Sequence, residues 1–166
     1  MAIEVRPLRP EEHEEGGRVT AAAYEAFAPG DASPNVDYLR RVADVAGRAE
    51  RAVVLGAFDN ERLVGTLTLE LDGRISGGFT RPPLRQDEAH VRMLGVAPDA
   101  QRRGIGTALM DASIERARAA GKRMLTLETA EAMIGAQGMY ERMGFRRGPD
   151  WIPDGTFRLL TFELDL

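Results

Sequence analysis

The chain has no cysteine among its 166 residues. Disulfide bridges, thiolate nucleophiles and cysteine-ligated zinc are excluded with it. Histidine is almost as scarce. His13 and His90 are the whole complement, which argues against a histidine-rich metal site, and no metal is expected. No apolar run approaches the roughly 20 residues that a membrane span requires. The opening stretch "MAIEVRPLRPEE" has no basic segment leading into an apolar one, so it reads as no secretory signal. Acidic residues outnumber basic ones by 26 to 22, a formal charge of −4. That balance argues against a general electrostatic grip on nucleic acid or anionic membrane. The expectation is a cytoplasmic protein that binds neither.

What is present is ordinary globular material, 43% hydrophobic and 29% charged. The length suits one domain, taken as residues 1–166, and no repeat, linker or low-complexity tract divides it. Ala2–Leu8 alternates apolar and polar residues and reads as a strand. A helix follows from Pro10 to about Phe27, weakened by Gly16 and Gly17. Ala28–Asn35 is a turn cluster, and Val36–Gly47 a short amphipathic helix. Two β-rich runs flank Asp59–Glu61 as a hairpin, the second placing Leu63, Leu67, Leu69 and Leu71 on one face. Asp72–Gln86 has glycines, prolines and arginines but no periodicity, and reads as a long loop. Then come a strand Glu88–Pro98, a broad-striped helix Arg103–Gly121, a strand Arg123–Thr129 and a helix Glu131–Gly144. Phe145–Ile152 and Thr156–Leu164 close the chain as strands around a turn at Pro153–Gly155. The strand–helix–strand crossover implies a parallel pair, and the hairpins imply antiparallel neighbours. The result is a mixed sheet with helices on its faces.

The informative stretch is "QRRGIGTALM", Gln101 to Met110. Gly104 and Gly106 follow a strand and open a helix, whose first N–H groups have no intrahelical partner and whose dipole favours anions. A Walker A loop would need a lysine after Gly106, and a dinucleotide fingerprint a third glycine where Leu109 stands. A plain turn into a helix is the simpler reading, but turn chemistry calls for neither Gln101 nor the two arginines.

Gln101-Arg102-Arg103-Gly104-Ile105-Gly106 resembles the acyl-CoA pyrophosphate loop of the Gcn5-related N-acetyltransferase (GNAT) superfamily. "MLGVAPDAQRRGIGTALM" is similar to that family's fourth strand and third helix. "LTLETA" with "MYERMGF" is similar to its fifth strand and the helix after it. The likeness is specific over about Glu88–Phe145 and only topological before that. It implies an α/β fold of the α+β kind: a mixed, mostly antiparallel sheet of about seven strands with helices on both faces. It also implies acetyl-CoA as co-substrate and an amine as acceptor, by direct attack in a ternary complex.

The resemblance assigns the CoA arm to the backbone of Met93, Leu94, Gly95 and Val96, and the pyrophosphate to Gln101–Thr107. An interior glycine such as Gly95 marks either close ligand approach or a packing need. Tyr140 matches the family's proton donor to the departing sulfur, a phenol being protonated at neutral pH. His90 stands where some members have a glutamate base, with Glu88 two residues away on the same strand face. An ordinary strand histidine is the plainer reading of His90. Met133 replaces an asparagine that often contacts the CoA arm, and Gln137 is the candidate substitute. Glu128 and Thr129 end a strand nearby and read as solvated. Trp151 reads equally as acceptor-pocket wall or core.

The acceptor is taken as a small molecule amine or a peptide or protein amine. It depends on Tyr24–Phe27, Val36–Leu39 and the long loop, which carry no readable code. Arg74, Arg81 and Arg85 in that loop fit an acidic acceptor or a solvated surface. A homodimer is compatible with all of this. The other functional reading is a non-catalytic CoA-binding sensor or interaction module.

Overall fold

The computed structural model describes residues 2–27, 33–73, 83–152 and 158–166. The first strand, β1 (Ile3–Pro7), leads into a 3-10 turn at Pro10–Glu12 and then α1 (His13–Tyr24), with a second such turn at Glu25–Phe27. Glu12 fixes the entry. Its carboxylate receives the Arg9 N–H at 2.7 Å and two guanidinium bonds from Arg6 at 2.7 and 2.8 Å. Gly16 and Gly17 sit inside α1 where it packs closely, Gly16 on a side chain that would have to shift and Gly17 on backbone. A Cβ on Gly16 would lie 2.7 Å from Leu8 Cδ1, and one on Gly17 would run into the Ala43 carbonyl.

The expected helix Val36–Gly47 is two helices. α2 (Ser33–Ala43) begins earlier, with Pro34 in its first turn, where a missing N–H costs nothing. α3 (Val45–Ala49) follows after Asp44, whose carboxylate accepts the Gly47 N–H at 2.9 Å. Asp44 thus ends one helix and caps the next. Residues 28–32 of the expected turn cluster lie outside the described residues.

β2 (Val53–Asp59) and β3 (Arg62–Glu70) form the expected hairpin. One detail corrects the alternation. Ala57 pairs with Gly65 and Phe58 with Leu63, so Val64 is an extra residue in β3. Such a bulge shifts the side-chain alternation by one. Leu63 therefore packs with Leu8, Val45, Val54 and Phe58, whereas Leu67 and Leu69 join the larger core on the opposite face.

The remaining elements are β4 (Glu88–Val96), α4 (Ile105–Ala119), β5 (Met124–Ala130), α5 (Ile134–Arg142), β6 (Arg146–Arg147) and β7 (Leu159–Asp165). The sheet order is β1-β2-β3-β4-β5-β7-β6, with β4–β5 parallel and the other neighbours antiparallel. The seven-stranded mixed sheet is as expected. β6 is far shorter than Phe145–Ile152. Gly148 and Pro149 interrupt it, proline having no N–H for a ladder, and Trp151 makes only a single bridge to Leu159. The expected turn at 153–155 lies outside the described residues, as do Arg74 and Arg81 of the long loop.

One face of the sheet carries α1 and α3, the other α4 and α5. The larger core lies beneath α4 and α5, where Ile105, Leu109 and Met110 meet Leu67, Leu69, Ala89, Leu125 and Leu127. On the α1 face the packing is partly polar. Thr20 and Thr66 share a buried hydroxyl hydrogen bond. Arg48, 5% exposed, donates to Thr68 and to the Arg41 and Val42 carbonyls. Among the described residues no helix is long and apolar enough to cross a membrane.

Candidate active site

A second bulge opens the sheet at its centre. Thr66 pairs with Gly95 and Thr68 with Arg92, so two steps along β3 face three along β4. Met93 has φ 53°, in the left-handed region that a side chain adopts at a cost of roughly 1–2 kcal/mol. Backbone strain of this kind persists where surrounding structure imposes it, often at ligand sites. β4 pairs with β5 only from Glu88 to Val91, opposite Met124 to Leu127. Beyond Val91 the pairing stops although both strands continue. The gap is a cavity of about 710 Å³. Its walls include Met93, Leu94, Gly95 and Val96, the part of β4 that no longer pairs with β5, so β4 offers it a strand edge. Gly95 answers a packing need as well: a Cβ there would lie 2.9 Å from Ala23 Cβ on α1.

One end of the cavity is the start of α4. Gly104 has φ 79°, and a Cβ on it would meet nothing within 4 Å. The first helical hydrogen bond runs from Ala108 N–H to the Gly104 carbonyl at 3.0 Å. The N–H groups of Ile105, Gly106 and Thr107 precede it and sit at the positive end of the dipole. Gln101, Arg102, Gly104, Ile105, Gly106 and Thr107 all line the cavity. Arg103 does not. It turns away to Asp59, 2.8 Å from its carboxylate. An open glycine, helix N–H groups and Arg102 together fit an anion.

The other end is deep and carries titratable side chains. Tyr140 lines it, 4% exposed, its ring between Phe145 and Phe162 at centroid distances of 5.7 and 5.5 Å. Burial pushes its phenol above the ordinary tyrosine range, so the hydroxyl stays protonated. Tyr24 of α1 lines the same region and stacks edge-on with Tyr38 at 6.5 Å. Its phenol is raised too, by burial first and then by Tyr38 and Tyr140. Gln137 lies off the cavity walls and donates to the Ala130 and Glu131 carbonyls at 3.1 and 3.0 Å, pinning the turn into α5. Met133 lines the cavity instead, and the Thr129 hydroxyl donates to its sulfur at 3.4 Å. Trp151 is not among the lining residues.

His90 and Glu88 do not line the cavity; Glu128 does. His90 is 2% exposed, with Nε2 2.9 Å from Glu128 Oε2 and Nδ1 2.8 Å from Thr126 Oγ1. Glu128 is thus no solvated strand end. It stands between the buried imidazole and the cavity. Arg92 also lines the cavity, 3.5 Å from the buried Glu70 carboxylate. Its guanidinium is lowered, first by burial, with Glu70 and Glu128 acting against that. Glu128 falls near the site in the sequence but carries no sign there of a buried partner. Its place beside His90 follows from the parallel register of β4 on β5, which alternation within one strand does not encode.

A cleft opened inside the sheet, with helix N–H groups and Arg102 at one end and Tyr140 and Glu128 at the other, has the shape and the donors to accept an elongated, anionic ligand. The acetyltransferase (GNAT) family model matches residues 18–145, and the chain belongs to that family. The chain is 35% identical over 80 residues to the "Probable N-acetyltransferase camello" of Xenopus tropicalis, a match spanning 47% of this chain and 36% of that protein. It is 35% identical over 91 residues to the mycothiol acetyltransferase of Geodermatophilus obscurus, spanning 55% of this chain and 28% of that one. The matches therefore span about a third of those relatives' lengths. Among solved structures, the PaiA N-acetyltransferase of Thermoplasma acidophilum, in complex with coenzyme A, superposes over 100% of both chains. The TM-score is 0.78 at 16% identity, a likeness of fold.

Proposed function

We propose that the protein is an N-acetyltransferase that moves the acetyl group of acetyl-CoA to a primary amine, with residues 1–166 acting as one acetyltransferase domain. The observation that carries this reading is the bulge-opened cavity joining the Gly104 end of α4 to Tyr140 and Glu128. The diphosphate lies on the N–H groups at the start of α4, and the pantetheine arm runs along the exposed edge of β4. An ammonium acceptor gives one proton to Glu128, which His90 backs. The neutral nitrogen attacks the thioester carbonyl, the C–S bond breaks and the sulfur takes a proton from Tyr140; the second proton that the nitrogen sheds on becoming an amide returns through solvent to the phenol, and the first leaves Glu128 to solvent. One proton is released per turnover from ammonium and thioester to amide and thiol. A cytoplasmic location and a homodimer are compatible with this reaction. The acceptor is a small-molecule, peptide or protein amine.

The test has two parts. Native mass spectrometry after incubation with acetyl-CoA, ATP and NAD is expected to show retention of the first alone. A panel of amines is then screened for release of free thiol. Glu128→Gln is expected to lower kcat by about 10²-fold, within the usual worth of a proton acceptor, with KM for acetyl-CoA unchanged. Wild-type kcat in that variant would remove Glu128 from the mechanism.

The arginines of the loop separate in the same assay. Arg102 lines the cavity and Arg103 is held by Asp59. Arg102→Ala is expected to weaken CoA binding by on the order of 1 kcal/mol or less and to flatten its salt dependence. Arg103→Ala is expected to leave both unchanged. Equal salt slopes in wild type and Arg102→Ala would make Arg102 a bystander.

A further inference from the structure

The proposed chemistry leaves a buried set of side chains behind Glu128 without a role. Glu128 Oε2 lies 2.9 Å from His90 Nε2. His90 Nδ1 lies 2.8 Å from Thr126 Oγ1. The Thr126 hydroxyl donates to Glu88 Oε1 at 2.6 Å. The four residues alternate between β4 and β5, and the register pairs His90 with Thr126 directly. The chain runs from the cavity wall to the start of β4. There Glu88 Oε2 accepts the Arg85 N–H at 3.2 Å, with the Arg85 Nε 3.6 Å away.

A count of hydrogens gives this chain a property. Three polar contacts at 2.6 to 2.9 Å each need a hydrogen between the atoms. Thr126 supplies one and a neutral imidazole one more. Two ionised carboxylates supply none. The third must be an additional proton, carried by His90 or by one of the glutamates. Because Thr126 gives its only hydrogen to Glu88, it receives one from His90, and Nδ1 is protonated. The extra proton then lies between Nε2 and Glu128. With that proton the chain carries one net negative charge, and Arg92, which lines the cavity beside Glu128, and Arg85, beside Glu88, stand at its two ends. Glu70 is the β3 register partner of His90 and pairs with Arg92, and Glu163 is the β7 register partner of Thr126 and pairs with Arg146.

We infer that Glu88 and Thr126 are positioning residues for the transfer reaction: they lock the His90 imidazole with Nδ1–H toward Thr126, so that Nε2 holds a proton against Glu128 and aims that carboxylate into the cavity. The inference rests on the proposal that Glu128 meets the acceptor amine. Glu88 acts at a distance, through the direction of the Thr126 hydroxyl.

The chain has only two histidines, so protein labelled with ¹⁵N-histidine gives two ring systems, and a His13→Gln variant assigns them. In the wild type, His90 is expected to show a protonated Nδ1. In Glu88→Gln the side-chain carbonyl keeps the Arg85 N–H, and the NH₂ group donates to Thr126. The Thr126 hydrogen then turns to His90, and Nδ1 is expected to move to the shift of an unprotonated, accepting nitrogen. Thr126→Val is expected to lower kcat about tenfold or more with KM for acetyl-CoA unchanged, and Thr126→Ser to keep kcat within about twofold. Thermal melts check that the variants fold, and the His90 signals of Glu88→Gln decide if Thr126→Val does not. An unprotonated Nδ1 in the wild type, or His90 signals in Glu88→Gln identical to wild type, would overturn the assignment. So would a folded Thr126→Val with wild-type kcat. A Glu128→Gln variant at wild-type kcat overturns the underlying base reading, and with it the catalytic half of this inference. An inactive Glu128→Gln beside unmoved His90 signals overturns the chain alone.

Discussion

Gly104→Val is expected to raise the Kd for CoA about a hundredfold or more while the protein stays folded. The residue has φ 79° and opens α4. A β-branched side chain is a genuine outlier in that backbone region. Nothing in the protein lies within 4 Å of the added Cβ, so the damage is not a core clash. It falls on the backbone that aims N–H groups into the cavity, and on the space a diphosphate would occupy. Charge-assisted hydrogen bonds contribute roughly 1.5–3 kcal/mol each. Losing two gives the stated factor, since about 1.4 kcal/mol is tenfold. Strain of roughly 1–2 kcal/mol lowers Tm by only about 2–8 °C in a chain of this size. Calorimetry with CoA and a thermal melt read the two effects separately. Wild-type affinity in the folded variant would sink the pyrophosphate assignment.

Tyr140→Phe is expected to lower kcat at least about tenfold with CoA affinity preserved. The ring packs between Phe145 and Phe162, and phenylalanine keeps those contacts. What it loses is the hydroxyl. Burial holds that phenol above the ordinary tyrosine range, which decides its role by sign. A phenol that stays protonated at neutral pH is available to donate and unavailable as a base, though burial also makes it the weaker acid. The wild-type rate profile should therefore show no descending limb from this phenol through the ordinary tyrosine range, near pH 10. The variant should fall in kcat and kcat/KM together, as expected of an interaction made only in the transition state. A thiol of pKa about 8.5 leaves fairly well as an anion, so water could take over part of the role, and the lower bound is set for that reason. Unchanged kcat in the variant would leave Tyr140 as packing, with rate enhancement resting on positioning.

Much of this protein was legible in one dimension. The element order could be read because each signal is local: alternation for β1, a stripe for α4, proline and glycine at the boundaries. The glycine loop was legible for the same reason. The role proposed for it rests on the backbone of consecutive residues, so Gln101 to Thr107 carry the signal by identity and spacing. Tyr140 was found through the run Met139–Phe145, again a local pattern. The misreadings share a different cause. Leu63 was put on the wrong face because an extra residue at Val64 shows in the pairing of β3 with β2, and not in β3 alone. The break between α2 and α3 turns on a cap by Asp44, in a segment whose apolar pattern runs straight through.

The deep end of the site belongs to the tertiary structure. His90 reads as either a candidate base or an ordinary strand histidine because nothing within β4 supplies a partner. Its partners, Thr126 and Glu128, come from β5, a helix away in sequence, and parallel register alone brings them within 3 Å. Gln137 and Arg103 had the right composition for ligand contacts, but the carbonyls of Ala130 and Glu131 and the carboxylate of Asp59 hold them elsewhere. The sequence by itself determined the strand and helix order and the glycine turn that opens α4, because both are encoded by residues adjacent in the chain. Only the tertiary structure decided where β4 parts from β5, which carboxylate faces the opening and which residues stand behind it. Those depend on distances between strands, and no spacing along one strand encodes them.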